Sequence, residues 1–488
     1  MKVIFTLMIF LIMSMSSIDG ILLNAQIPSI SIQTEGEIID EPKVLGTFLY
    51  MDLNGEIISS NIGIEIRGGF SQSYPKKTYD IEFWNDATGS ETSDVQFGGL
   101  RKDDDWILDA LYNEPLRLNS FITHKLWLEM NQLYYADQEP KAKSGADVMY
   151  VEVTINDEYQ GIYLLSEQVD RKQLKLKRNN NTGIRGELYK AFDNDDAVFF
   201  NDPDETPDNS SSVWSGYEFK YPTDFIDWMN VEELVNYVAN SSDLDFSEGI
   251  ESRFDIKNLM DYFILLNIAR ILDNRGKNIY LCRYDSDEPY FLTPWDLDGS
   301  WGLLWDGSND TNTQGVLSNN LFDRLIENDV DGFRQKISDR WNSLRTSLLS
   351  DEALENRINS TNQFLIANQV YEKETNTWDY EYSESNLEYI FDWIEDRLDF
   401  LDKYFNAITD VVNQSSLDFS LYPNPAYDSI NVRGDFKKND SINIYNIFGI
   451  LMEKEDWLSD KQKMSIRELP AGAYILEIKG NRKLFYKI

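Results

Sequence analysis

The sequence is short of several side chains on which extracellular and catalytic architectures often depend. It has one cysteine, Cys282, and one histidine, His124, in 488 residues. A single cysteine excludes an intramolecular disulfide and any cysteine-based zinc cluster. A single histidine excludes a histidine pair on a metal and makes histidine-dependent catalysis a poor expectation; a place on a helix surface or in the core is its simplest reading. Positive charge is also scarce. Against 84 Asp and Glu there are 45 Lys and Arg, a net charge of −39. Such a chain repels phosphate backbones, which excludes a general nucleic-acid binder, and it suits sites that bind cations. Beyond the N-terminus no stretch is long and apolar enough to span a bilayer, so no transmembrane anchor is expected.

What is present is ample core material. Apolar residues make up 42% and aromatic residues 13%, with 26 Phe, 27 Tyr and 12 Trp. The length suits one large domain and one small one. The N-terminus places Lys2 before an apolar stretch over residues 3–13, and a small residue, Ala25, precedes Gln26. That pattern predicts a signal peptide over 1–25, cleaved after Ala25; the apolar stretch is too short for an anchor.

Residues 27–408 read as α+β, strand-rich first and helical later. Ile62-Gly-Ile-Glu-Ile-Arg67, Tyr79-Asp-Ile-Glu-Phe83 and Val151-Glu-Val-Thr-Ile155 alternate with period two. Asn156-Asp157 is a turn pair, with Gly161-Ile-Tyr-Leu-Leu165 as the hairpin partner. Asp255 can cap a helix carrying Leu259, Phe263 and Leu266. A second helix over 384–405 puts Leu387, Ile390, Phe391, Ile394, Leu398, Leu401 and Phe405 on one face, a core stripe. Ile279-Tyr-Leu-Cys-Arg283 and Tyr290-Phe-Leu292 form a short hairpin, and 201–212 is a polar surface loop. Residues 409–417 make a polar linker. The tail, 418–488, has 11 Lys and Arg against 10 Asp and Glu, so nearly all the negative charge lies upstream. Its short strands and turn signals predict a small β-sandwich of roughly seven strands.

One constellation could carry chemistry. Ile271-Leu-Asp-Asn-Arg-Gly-Lys-Asn-Ile-Tyr280 places Asp273 five residues before Asn278, and Thr293-Pro-Trp-Asp-Leu-Asp-Gly299 places Asp296 and Asp298 just past a strand. Phosphoryl transfer needs a carboxylate to take the acceptor proton, an amide and a carboxylate to hold a divalent metal, and a cation for the phosphates. Protein kinases arrange these as Asp, Asn five residues later, a strand pair, then Asp. The histidine and arginine that usually precede the first Asp are replaced by Ile271-Leu272, and an Asp-Phe-Gly triplet is absent. Turn capping explains the same residues equally well. Upstream, Glu65-Ile-Arg-Gly-Gly-Phe-Ser-Gln-Ser-Tyr-Pro-Lys-Lys-Thr-Tyr79 joins two strands and combines glycines with three cations. Its backbone could approach phosphate, with Arg67 and Lys76 supplying charge; a hairpin with a basic solvated loop is the plainer reading.

Two resemblances bear on these motifs. The tail, with Leu421-Tyr-Pro-Asn-Pro-Ala426, Ile444-Tyr-Asn-Ile-Phe-Gly449, Leu469-Pro-Ala-Gly-Ala-Tyr474 and a basic end, resembles the sorting domains of the type IX secretion system of Bacteroidota. That resemblance implies export through the outer-membrane machinery to the surface or medium. Residues 27–408 resemble the CotH family of atypical secreted kinases. The resemblance rests on Ile64-Glu-Ile-Arg-Gly68, Tyr74-Pro-Lys-Lys-Thr-Tyr79, Trp106-Ile-Leu108, Gly161-Ile-Tyr-Leu-Leu-Ser-Glu167, the 273–278 motif and Pro294-Trp-Asp-Leu-Asp298. It implies a diverged protein-kinase-like fold that binds ATP with Mg²⁺ or Mn²⁺ and phosphorylates Ser or Thr of exported or cell-surface proteins. By position, Asp273 is then the catalytic carboxylate, Asn278 and Asp296 are metal ligands, and Asp298 is a further ligand or a cap. Lys76 and Arg67 contact phosphate, and Glu167 pairs with the lysine or touches the nucleotide. Competing expectations are a non-catalytic kinase-like surface protein, a carbohydrate-active enzyme using paired carboxylates, and a calcium loop at Asp296 to Gly299.

Overall fold

The early alternation builds a closed barrel. The computed structural model describes residues 26–180, 183–410 and 419–487, apart from 435, 437, 439, 447–449, 459–460 and 480. The expected signal peptide, most of the expected linker and the last three residues of the Ile444 motif lie outside the described residues. The chain forms two compact units, Met1–Thr409 and Asp410–Ile488.

In the first unit, β1 (Ser29–Thr34), β2 (Val44–Met51), β3 (Ile57–Arg67), β4 (Thr78–Trp84), β5 (Asp105–Asp109), β6 (Val148–Ile155) and β7 (Glu158–Glu167) form the barrel, in the order β1-β2-β3-β4-β5-β7-β6. β6 closes it by pairing parallel with β1. Period two sends Ile30, Ile32, Phe48, Ile62, Ile64, Ile81, Phe83, Trp106, Val151 and Tyr163 inward, where they fill the barrel. The expected hairpin is β6–β7. Ile155 opposes Glu158, so Asn156 and Asp157 alone make the turn, with φ of 51° and 64°. Both lie in the left-handed region, which matches the twist of the flanking strands.

Between β5 and β6 lies α1 (Asn119–Met130). No side chain at Leu118 caps it; Glu114 instead accepts the N–H groups of Asn119 (2.8 Å) and Ser120 (2.9 Å), two of the orphan donors of its first turn. Beyond the barrel, β8 (Glu187–Ala191), β9 (Val213–Trp214), β10 (Tyr217–Tyr221), β11 (Ile279–Arg283) and β12 (Tyr290–Pro294) make a second sheet in the order β9-β10-β8-β11-β12. The later helices are α2 (Met229–Asn240), α3 (Asp243–Gly249), α4 (Ile256–Ile268), α5 (Asn320–Glu327), α6 (Phe333–Arg345), α7 (Asp351–Ala367), α8 (Val370–Trp378) and α9 (Glu384–Ala407); α4 packs on β12 and α8 on β7 of the barrel. Asp255 caps α4 as expected, accepting from Lys257 and Asn258 N–H. Leu259, Phe263 and Leu266 are buried on it. On α9 the buried set is Ile390, Trp393, Ile394, Arg397, Leu398, Leu401 and Phe405, while Leu387 and Phe391 are only partly covered.

Among its described residues the second unit holds seven strands in two sheets. One contains Phe419–Tyr422, Ser429–Gly434 and Lys461–Ser465; the other contains Leu451–Asp456, Ser441–Asn446, Gly472–Ile478 and Asn481–Lys487. Phe419, Ile430, Val432, Ile442, Ile444, Trp457, Leu476 and Phe485 share one core. The protein is thus α+β with a β-rich tail. Among the described residues no helix is long and apolar enough to cross a membrane.

Candidate active site

The β11–β12 hairpin brings two distant motifs together. Ile279 pairs with Pro294, so Asn278 and Trp295 stand opposite each other just past the last rung, and Asp296 follows. Trp295 N–H donates to the Asn278 carbonyl (3.0 Å). The buried Asn274 amide donates to both the Asn278 and the Trp295 carbonyls, each at 2.9 Å, and Tyr262 OH holds the Asn274 carbonyl at 2.7 Å. Asn274 is therefore the clasp between the 273–278 turn and the strand exit. Asp273 opens a 3₁₀ turn, Asp273–Arg275, directly after the buried α4. Asn278 and Asp296 both adopt positive φ, 56° and 55°. Non-glycine residues with this backbone cluster at functional turns, because the surrounding structure must offset its cost.

These residues form one wall of a cleft of about 820 Å³. Asp273, Lys277, Asn278, Asp296, Asp298 and Lys190 line that wall; the turn after β3, with Arg67, Gly68, Gly69 and Phe70, and the end of β5, with Asp109, line the other. The carboxylates crowd one another. Burial by the cleft walls is the largest influence raising the Asp296 carboxyl; Lys190, Arg67 and Lys277 oppose it, and Asp273 adds to it. The surface of Asp296 itself stays open to the cleft, so water screens part of that push. Burial and the neighbouring Asp296 charge raise Asp298 strongly, and burial and Asp296 push Asp109 up to about 6. Acidic crowding of this kind is relieved by a divalent cation. The Asn278 carboxamide forms no hydrogen bond among the described residues and faces the same space, so an amide and a carboxylate are available for such an ion. Asp298 is committed differently. One oxygen accepts from Asn113 (2.5 Å) and the other from Gly299 N–H (2.7 Å), the pattern of a turn cap. A tighter acidic set, Asp94, Asp103 and Asp104, lies in the connection between β4 and β5, but Lys172 and Arg101 already pair with the Asp103 and Asp104 carboxylates.

Lys76 sits behind this surface, fully enclosed. Its ammonium donates to Glu374 Oε1 (2.8 Å) and the Ile162 carbonyl (2.5 Å), and packs on the Tyr163 ring at 4.6 Å. Glu374, from α8, also accepts Ile162 N–H (2.8 Å) and pairs through Oε2 with Arg117 (3.1 Å). Gly161 makes room for it: at φ +98° a Cβ there would stand 2.0 Å from Glu374 Oε1. The expected pairing of Glu167 with Lys76 is therefore not formed. Glu167 is buried and accepts from Lys143 (2.6 Å), Arg101 N–H (2.6 Å) and Gln173 (3.0 Å), outside the lining of the cleft. The carboxylate for Lys76 arrives instead from α8, 298 positions downstream. Arg67 lies at the cleft edge, paired with Asp80 (3.0 Å) and over the Trp295 ring at 5.5 Å.

The family model described as CotH kinase protein matches residues 64–401, more than half of the chain. The chain belongs to the CotH family. A second model, described as secretion system C-terminal sorting domain, matches 420–488. Among curated proteins the chain is similar to the inner spore coat protein H of Bacillus subtilis (strain 168), 24% identical over 242 residues, which cover 50% of this chain and 59% of that protein. The chain thus spans about three-fifths of that relative's length.

In this CotH protein, Asp273, Asn278, Asp296, Asp298, Arg67 and Lys76 all border one cleft, and Glu167 does not. Residues that sequence reading passed over are Glu374, Arg117, Asn274, Asp109, Lys190 and Lys277. Lys277 had a visible signal, since it sits inside the Asp273–Asn278 motif. Lys190 was a single cation in a short strand, Glu187–Ala191. Glu374 had none.

His124 is buried in α1 at the edge of the cleft, and burial pushes its pKa down to about 4; Lys125 pushes the same way and Asp147 opposes it. The folded imidazole stays neutral while the unfolded one protonates near 6.5, so its contribution is intact above 6.5 and is lost as pH falls towards 4. Glu114, pushed up to about 7 by burial, runs the other way. The expected result is that His124→Gln removes on the order of 3 kcal/mol of the stability lost between pH 6.5 and 4. Urea unfolding of wild type and variant across that window measures the difference, and parallel curves would reject it.

Proposed function

We propose that this CotH protein is an exported, metal-dependent phosphotransferase with a diverged kinase-like fold, moving the γ-phosphate of ATP to Ser or Thr hydroxyls of exported or surface proteins. One observation carries the reading: Asp273, Asn278 and Asp296 share a cleft large enough for a nucleoside triphosphate, with cations on its walls. The roles follow from the chemistry. Asp273, whose carboxylate accepts no hydrogen bond among the described residues, takes the proton from the acceptor hydroxyl. The acceptor oxygen bonds to the γ-phosphorus as the bond to the bridging oxygen of the diphosphate breaks, and ADP leaves with that electron pair. Asn278 and Asp296 would hold Mg²⁺ or Mn²⁺, with Asp298 behind them fixing the turn through Asn113 and Gly299. The metal, when bound, offsets phosphate charge that an acidic protein would otherwise repel. Lys76, held by Glu374, and Arg67 present positive charge from the barrel side. The matched sorting domain supports passage through the type IX machinery of a Bacteroidota cell, and the sequence of residues 1–25 supports entry by a signal peptide.

The expected result is a thermal shift of the full-length protein by ATP that requires Mg²⁺ or Mn²⁺, together with labelling of the protein or of added substrate from [γ-³²P]ATP. Asp296→Ala is expected to lose both. At a ligand concentration one hundred times Kd the stabilisation amounts to about 2.7 kcal/mol. A protein that gains no stability from ATP with either metal would instead be a non-catalytic scaffold.

A further inference from the structure

The cations that line the cleft are unequally engaged. Lys76 is locked to Glu374 and the Ile162 carbonyl, and Arg67 is shared with Asp80. Lys190 and Lys277 line the same cleft, yet among the described residues neither ammonium forms a hydrogen bond or an ion pair. Lys190 is the odder of the two. It stands in β8, the middle strand of the second sheet, opposite Glu218 on one side and Tyr280 on the other. Glu218 is already paired with Lys220 at 3.1 Å. Burial and the neighbouring Arg67 make the Lys190 ammonium easier to deprotonate than usual, while Glu218 and Asp296 resist that. A chain with a net charge of −39 offers carboxylates nearly everywhere, so a half-buried lysine left without one is costly unless another anion meets it. Lys277 lines the same cleft from the 273–278 turn, where its backbone N–H is fixed to the Asp273 carbonyl at 2.9 Å, and like Lys190 its charge acts on the Asp296 carboxyl.

We infer that Lys190 and Lys277 form a built anion site beside Asp296 that holds the terminal phosphate of a phosphoanhydride chain. The placement rests on the phosphotransferase reading, but the recognition does not need the nucleoside. Two point charges from different elements, a strand and a turn, bracket the wall where the metal-binding carboxylate sits. A terminal phosphate there would be pulled towards the lysines on one side and a cation at Asp296 on the other. The site would discriminate a triphosphate from a monophosphate by charge, whatever the base attached.

Calorimetric titration of the full-length protein with inorganic tripolyphosphate in Mg²⁺ tests it. Wild type is expected to bind. Lys277→Met is expected to weaken binding about tenfold, and Lys190→Met with Lys277→Met about a hundredfold. Binding of AMP is expected to change less than threefold. Lys277→Arg is expected to recover most of the loss, which a folding defect would not allow, and melting curves check each variant. A double variant that binds tripolyphosphate like wild type overturns the inference, as does a wild type that does not bind it. Tripolyphosphate binding without any transfer from ATP would leave this site standing and remove the phosphotransferase reading. Transfer with unaltered binding in the double variant would do the reverse.

Discussion

Asp273→Asn is expected to lower phosphate transfer about a thousandfold while leaving stabilisation by ATP and Mg²⁺ nearly unchanged. The substitution is close to isosteric, and the backbone of the turn does not depend on the side chain. The Asp273 carbonyl accepts Gly276 N–H at 3.3 Å and Lys277 N–H at 2.9 Å, and both survive. The clasp made by Asn274 is untouched. What is lost is an oxygen able to accept a proton from the incoming hydroxyl. General-base contributions of this kind are about a hundred- to ten-thousandfold. Initial-rate labelling and thermal shift on the same preparation separate the two effects. Wild-type transfer by the variant would remove Asp273 from the chemistry. Loss of ATP stabilisation would make it a metal ligand instead, and the base would have to be sought at Asp109, a cleft carboxylate that burial and the Asp296 charge push up to about 6.

The parts of this arrangement that could be read from the sequence are those governed by neighbours along the chain. Alternation in Ile62 to Arg67 and Tyr79 to Phe83 specified adjacent barrel strands because pleating alone decides which side chains face inward. Asn156-Asp157 specified its hairpin because two left-handed residues suffice for that turn. The Asp273, Asn278, Asp296 order was legible for a related reason. One short hairpin, with Ile279 opposite Pro294, is enough to bring the two motifs side by side. Glu374 was not legible. It lies in Val370–Trp378 beside Glu372 and Lys373, and no local feature separates the residue that plunges between β7 and Arg117 from those that stay outside. The misplacement of Glu167 has the same origin. At the end of β7 it pairs laterally with Lys143, because the following chain turns towards Gln173 rather than towards the cleft. Contacts fixed by tertiary packing leave no periodic trace, and the carboxylate partner of a buried lysine is such a contact.

Glu374→Gln is expected to cost about 3–5 kcal/mol at neutral pH, the largest stability effect of any single substitution in the cleft walls. Lys76, Glu374 and Arg117 are essentially sealed from solvent. Taking the carboxylate away leaves two cations enclosed with one fewer counter-charge, and an amide cannot accept from Lys76, Ile162 N–H and Arg117 with comparable strength. The pH dependence identifies the cause. Burial holds the Lys76 pKa down at about 8, with Glu374 resisting, so the unfolded chain binds the extra proton between about 8 and 10.5 and wild-type stability rises with pH across that window. Without Glu374 the folded pKa falls further and the rise begins at lower pH. By pH 9 Lys76 is largely neutral in both proteins, so the deficit of the variant is expected to shrink between pH 7 and 9, leaving the part due to Arg117. Urea unfolding at the two pH values reads this directly. A deficit below about 1 kcal/mol at pH 7, or one that widens at pH 9, would mean that the triad does not carry the charge balance that ties α8 to the barrel lysine.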